Sequence, residues 1–204
     1  MKDSSHPYLY AAILGIVCAT LLTGAGHLTA PYVRANAQAQ QVRSILTVLR
    51  VPFDPRGDAQ ELLAVYRDKA REETRAGRTV YLYGEGASPA AIAFPFEGPG
   101  VWGPIRGFLA LDADGKTIRG IIFYEQSETP GLGGEIASEW FQKQFVGKSI
   151  RDAEGKPGII VKRGAKGPNA VDAITGATMT SEKVERLLNT AIADAPTESI
   201  QDAR

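Results

Sequence analysis

The sequence predicts an α+β protein: an N-terminal single transmembrane helix, then a domain with an antiparallel sheet and flanking helices. Three observations lead there. Tyr8 to Leu28 is a 21-residue apolar stretch with no formal charge apart from what His27 can take up. The middle of the chain breaks into short β-rich runs separated by Gly, Pro and an Asp-Gly turn. Helical periodicities lie before and after those runs, which suits hairpin strands with helices set apart.

Taken in order, residues 1–30 read as an N-terminal segment and membrane helix. The Tyr8–Leu28 stretch would span roughly 31 Å at about 1.5 Å per residue, close to the roughly 30 Å hydrocarbon core of a bilayer. Tyr8, Tyr10 and Tyr32 flank it where amphipathic rings settle at the interface. A cleaved signal peptide is the alternative, but its apolar region runs to about 7–15 residues, and this one is longer. A lipoprotein site would need a small residue before Cys18, where Val17 stands. Lys2 on one side and Arg34 and Arg43 on the other leave the orientation undecided by charge.

Residues 31–76 read as a helical connector. Val42, Ile45, Leu46 and Leu49 recur at i, i+3, i+4 and i+7, one apolar face of a helix that Pro52 and Pro55 end. Asp58 predicts the N-cap of a second helix to about Arg75, with Leu62, Leu63, Val65 and Tyr66 on its apolar side and Gly77 stopping it. Residues 77–194 then form the folded domain. Its expected strands are Thr79–Tyr83, Ala90–Phe96, Phe108–Leu111 and Thr117–Glu125, the last two joined by the hairpin turn Asp112-Ala-Asp-Gly115. In the final strand Ile118, Ile122 and Tyr124 alternate against Arg119 and Phe123, which predicts one buried face. A helix over Gly134–Phe145, a strand at Ile159–Val161 and a last helix over Thr180–Ala193 follow, with a polar tail over 195–204.

Composition narrows the chemistry. The 23 basic residues balance 23 acidic ones, so no electrostatic footprint for nucleic acid exists. The single cysteine, Cys18, excludes an intrachain disulfide, a cysteine-ligated iron–sulfur cluster and C-x-x-C-H haem attachment. The two histidines, His6 and His27, lie near the N-terminus, so the body can build neither a histidine metal site nor a His-dependent triad. P-loop, H-E-x-x-H and G-x-S-x-G signatures are missing. Any redox role must therefore rest on an organic cofactor.

Two segments remain. Ser127-Glu-Thr-Pro-Gly-Leu-Gly-Gly134 follows the strongest strand, and its glycines permit tight turns and close backbone approach to a ring or an anion. It also reads as an ordinary strand-to-helix connection. Asp172-Ala-Ile-Thr-Gly-Ala-Thr-Met-Thr-Ser181 runs into the last helix and gathers Thr175, Thr178, Thr180 and Ser181 at an N-terminus that attracts phosphate. Esterification of a threonine there is one reading, with Asp172 binding a metal or orienting the hydroxyl. A plain N-cap by Thr180 or Ser181 is the other.

Asp172-Ala-Ile-Thr-Gly-Ala-Thr178 resembles the D-x-x-[S/T]-G-A-T flavinylation motif of FMN-binding domains, and Glu128-Thr-Pro-Gly-Leu-Gly133 resembles the loop of the same family. With Gly100-Val-Trp-Gly-Pro104 and Tyr124-Glu125-Gln126 added, the pattern is similar to the C subunits of Na⁺-translocating NADH:quinone reductases. The G subunits of Rnf complexes come next. The resemblance implies FMN esterified through its phosphate to Thr178 by a separate Mg²⁺-dependent flavin transferase with FAD as donor. It places Asp172, Thr175, Gly176, Ala177 and Thr180 at the phosphate end, and Trp102, Glu128, Thr129, Gly131 and Leu132 against the flavin. Lys162 or Lys166 would add positive charge nearby. It further implies a single-pass protein of the bacterial inner membrane with its domain on the periplasmic side. Such a chain relays electrons beside other membrane subunits, and is an enzyme only as part of their complex. The chain is shorter than is typical of those C subunits, which leaves open a related assembly that reuses the same module; a stand-alone flavin carrier and a flavin-free structural anchor are the alternative readings of function.

Overall fold

The computed structural model describes residues 6–84 and 89–195. The expected tail beyond Ala195 lies outside the described residues. The chain divides into two units, Met1–Gln40 and Gln41–Arg204.

The described residues of the first unit belong to helix α1, His6–Val48. An 18-residue window within it has a mean hydropathy of 1.9, and none of that window is buried. The hydroxyls of Thr20 and Thr29 donate back to the carbonyls of Ile16 (2.8 Å) and Ala25 (2.9 Å), which hides their polarity inside the helix. Pro31 was expected to open a separate connector, yet it lies inside the same helix. Proline removes one donor to the preceding turn, and the ladder continues on either side.

In the second unit the end of α1 buries Val42, Ile45, Leu46 and Val48. The helix ends at Val48, and Arg50, with φ +54°, turns the chain before Pro52. Helix α2, Ala59–Lys69, is capped by Asp58, whose carboxylate accepts from the amides of Gln60 and Glu61 at 2.8 Å. It does not run to Arg75. Ala70–Arg75 is strand β1, which pairs antiparallel with β2, Arg78–Tyr83. Ala76 (φ +49°) and Gly77 (φ +76°) make the two-residue turn between them, the conformation that matches strand twist in a tight hairpin. The charged run Arg71-Glu-Glu-Thr-Arg75 looked helical, but Arg71 and Arg75 both pair with Glu73 at 3.0 Å along one strand face. The connector expected to end at residue 76 therefore contains the first strand of the sheet.

Strands β3 (Ala91–Pro99), β4 (Pro104–Asp112) and β5 (Ile118–Glu125) complete a meander of order β1-β2-β3-β4-β5. Both faces are covered. Val80, Leu82, Ile92, Phe94, Leu109, Leu111 and Ile121 face one core, and Tyr81, Ala91, Ala93, Phe108 and Ala110 the other. The second core includes the end of α1 and Leu62 of α2. Phe123, expected opposite the buried face, is 5% exposed and belongs to the first core, while Ile122 and Tyr124 pack against the second. The β4–β5 register shifts between Ala110 and Leu111, where Arg119 is the extra residue. That bulge resets the alternation and puts Ile118 and Ile121 on one side.

Beyond β5, a 3₁₀ turn over Gly133–Ala137 and a short helix α3, Glu139–Lys143, replace the single helix expected over Gly134–Phe145. Strand β6, Ile160–Val161, pairs in parallel with β7, Ala170–Val171, which the sequence did not disclose. Helix α4, Thr178–Ala193, buries Val184, Leu187, Leu188, Ala191 and Ile192 in the first core. Its Asn189 and Glu185 hold β6, accepting from the amides of Ile159 at 2.6 Å and Val161 at 2.7 Å.

The second core carries a pH signature. Burial, with the Glu72 carboxylate adding to it, pushes the Tyr66 phenol up to about 12, and burial raises Tyr81 and Tyr124 as well. The folded pKa lies above the unfolded value of about 10. The stabilisation of the neutral phenol is thus complete below pH 10 and is lost as pH rises towards 12. Ultraviolet titration should find a tyrosine ionising near 12 in the native protein, together with falling stability above pH 10. Native tyrosines that all titrate near 10 would contradict the packing of Tyr66.

Candidate functional site

Three loops converge at the start of α4. The hairpin loop Gly100–Gly103 between β3 and β4 closes through the Gly100 amide and the Gly103 carbonyl at 2.7 Å. The second loop, Ser127–Gly134, leaves β5. The third is the approach to α4 from Asp172 to Ala177. The first intrahelical bond of α4 runs from the Ser181 amide to the Ala177 carbonyl at 3.0 Å, so the amides of Thr178, Met179 and Thr180 have no acceptor in the preceding turn. Gly176, with φ +80°, makes the bend that brings the chain into this helix.

Neither candidate N-cap serves as one. The cap position is Ala177, which lends no side chain. The Ser181 hydroxyl turns inward, accepting from the Ile174 amide at 3.2 Å and donating to the Ala177 carbonyl at 3.0 Å. Thr180 is buried and donates its hydroxyl to Glu128 at 2.6 Å. Thr178 stays exposed as the first residue of the helix.

Two clefts flank Thr178. The smaller, about 290 Å³, is walled by Trp102 and Val101 on one side, by Glu128, Thr129, Leu132 and Gly133 on the second, and by Gly176 to Thr180 on the third. Trp102 is 74% exposed, Leu132 44% and Met179 64%, so this cleft offers flat apolar surfaces to a planar ring. The larger, about 660 Å³, contains Lys162, Arg163, Thr175, Gly176, Thr178 and Arg186, with Glu182 and Glu185 beside them. The cations there and the free amides of the first turn favour a phosphate next to Thr178.

Most of the residues picked from sequence line one or both clefts. Gly131 lies on the exposed loop with φ +74° but lines neither cleft. Asp172 also lines neither: its carboxylate accepts from the Gly164 amide at 2.7 Å, and its own amide donates to Gln144 at 3.0 Å. It braces the loop after β6. Sequence reasoning missed Arg163 and Arg186, which lie 23 positions apart and meet only because β6 packs on α4, and it missed Met179, whose exposure no local pattern signals.

Comparison with known proteins adds three findings. Residues 100–193 match the FMN-binding domain family. Over 114 residues the chain is 42% identical to the C subunit of the Na⁺-translocating NADH-quinone reductase of Yersinia pestis, covering 54% of this chain and 43% of that one. Over 122 residues it is 45% identical to the corresponding C subunit of Neisseria meningitidis, covering 58% and 47%. The chain thus spans about half the length of the curated relatives it matches. Among solved structures it resembles the C subunit of the same reductase from Parabacteroides distasonis (TM-score 0.67, 26% identity, 80% of this chain and 92% of that one). It shares the fold of Shewanella oneidensis NqrC (TM-score 0.68, 20% identity, 82% and 98%).

Proposed function

We propose, from the match of residues 100–193 to the FMN-binding domain family, that the chain is the membrane-anchored electron-transfer subunit of a Na⁺-translocating NADH–quinone reductase type complex, with FMN esterified to Thr178. One observation carries this reading. An exposed threonine hydroxyl opens α4 between two clefts, one offering apolar faces and the other cations. The hydroxyls of Thr180 and Ser181 on the same turn are already engaged within the fold.

Bound FMN supplies carrier chemistry for one or two electrons. The chain's part is attachment and position. In flavinylation the Thr178 oxygen bonds to the flavin-side phosphorus of FAD, the phosphoanhydride bond breaks, AMP leaves, and the hydroxyl proton passes to a base of the transferase. The free amides of Thr178, Met179 and Thr180 would receive the phosphodiester charge, and Lys162 in the same cleft would help to balance it. Trp102 and Leu132 present the surfaces for the ring. Helix α1 anchors the chain in the bacterial inner membrane, and the domain works on the periplasmic side. There a covalent link keeps a cofactor that could not be replaced.

The partners are the other membrane subunits of the complex. With the full chain made alongside them and the transferase, NADH should bleach the Thr178-linked flavin in membranes. In membranes holding this chain alone, NADH should leave it oxidised. If the chain purifies from membranes without partners and its flavin is reduced there by a soluble donor, it is a stand-alone carrier instead.

A further inference from the structure

We propose that Glu128 is a positioning residue that clamps the 100–103 loop to the first turn of α4 and fixes a negative charge beside the smaller cleft. For its cofactor arm, the proposal rests on the FMN reading. Glu128 is 5% exposed. Its Oε1 accepts from the amides of Val101 at 2.7 Å and Trp102 at 3.2 Å, and its Oε2 accepts from the Thr180 hydroxyl at 2.6 Å. Its own amide donates to the Gln126 side chain at 2.6 Å. One carboxylate thus joins elements 27 and 52 residues away in sequence.

The surroundings are built closely about it. A Cβ at Gly100 would lie 2.5 Å from Glu128 Oε1, and one at Gly133 would lie 2.5 Å from Thr180 Oγ1 and 2.9 Å from Glu128 Oε2. Both oxygens are therefore enclosed by backbone and engaged with donors. Glu128 acts through Trp102 and Thr180: it sets the distance between the two walls of the cleft. The side chain sits at the positive end of α4. Held on a buried side chain beside the cleft, the carboxylate's negative charge opposes adding electrons to a neighbouring cofactor, so it lowers that cofactor's potential.

The test separates clamp from cofactor. In full-length protein without flavin, Glu128→Ala should speed amide exchange at Val101 and Trp102 by about ten- to a hundredfold, as expected for a lost charge-assisted hydrogen bond. Thr180→Val should loosen the same amides less, since they keep their acceptor. Glu128→Gln should keep their protection and restore the flavin loading that Glu128→Ala loses, while moving the flavin midpoint potential upward. Circular dichroism of each variant checks that it folds. Unchanged exchange in Glu128→Ala, or an unmoved potential in a flavin-loaded Glu128→Gln, overturns the proposal. If wild type never acquires flavin while the exchange still accelerates, the clamp stands and the FMN reading fails.

Discussion

Thr178→Ala is expected to give a folded, membrane-bound chain with no covalent flavin at all. The loss is complete because a phosphoester needs an oxygen at that position, and the neighbouring hydroxyls on the helix are unsuited. Thr180 is buried against Glu128, and Ser181 is held between Ile174 and Ala177. Folding should survive, since Thr178 is exposed, α4 takes no cap from it, and alanine suits the first turn of a helix. Thr178→Ser should retain attachment, and Thr175→Ala should leave the ester in place. Ultraviolet fluorescence of the band in a denaturing gel reads the result. A Thr178→Ala band as bright as wild type would move the linkage elsewhere.

Phe141→Ala carries the largest expected cost to stability, about 3–5 kcal/mol for deleting a buried aromatic ring. Phe141 is fully buried, its ring lies 5.3 Å from that of Phe145 and 6.2 Å from that of Phe123, and it anchors α3 on the sheet. Its backbone amide donates to the Ser138 hydroxyl at 3.3 Å, a bond that alanine keeps, so the expected cost is that of the lost ring packing. The 3₁₀ turn before α3 begins beside Leu132, so the damage should extend to one wall of the smaller cleft. Denaturant titration of the full chain in detergent should show an earlier midpoint with a similar slope. An unshifted midpoint would mean that this ring is not part of the core.

Features with a strong local signature were legible in the sequence. The apolar helix needs only length and lack of charge, the hairpin at Asp112–Gly115 only its Asp-Gly pair, and α4 only its apolar spacing. Long-range features were not. Strand β1 is rich in Arg and Glu and gains its conformation from pairing with β2, so its residues read as helix. The bulge at Arg119 broke the alternation that placed Phe123 outside. Two-residue strands such as β7 carry no period at all. At the site, the motif around Thr178 and the loop after β5 could be read directly, because glycines and threonines mark them. The part played by Glu128 could not, since its partners lie on other loops, and the bracing by Asp172 depends on Gly164 across β6 and β7.

The most direct measurement is the mass of the tryptic peptide from Gly167 to Lys183, taken from full-length protein made beside an active flavin transferase. The account predicts a gain of one FMN less one water, with fragmentation placing it on Thr178. A peptide with the mass of its amino acids alone, from cells in which the transferase demonstrably works, would contradict it.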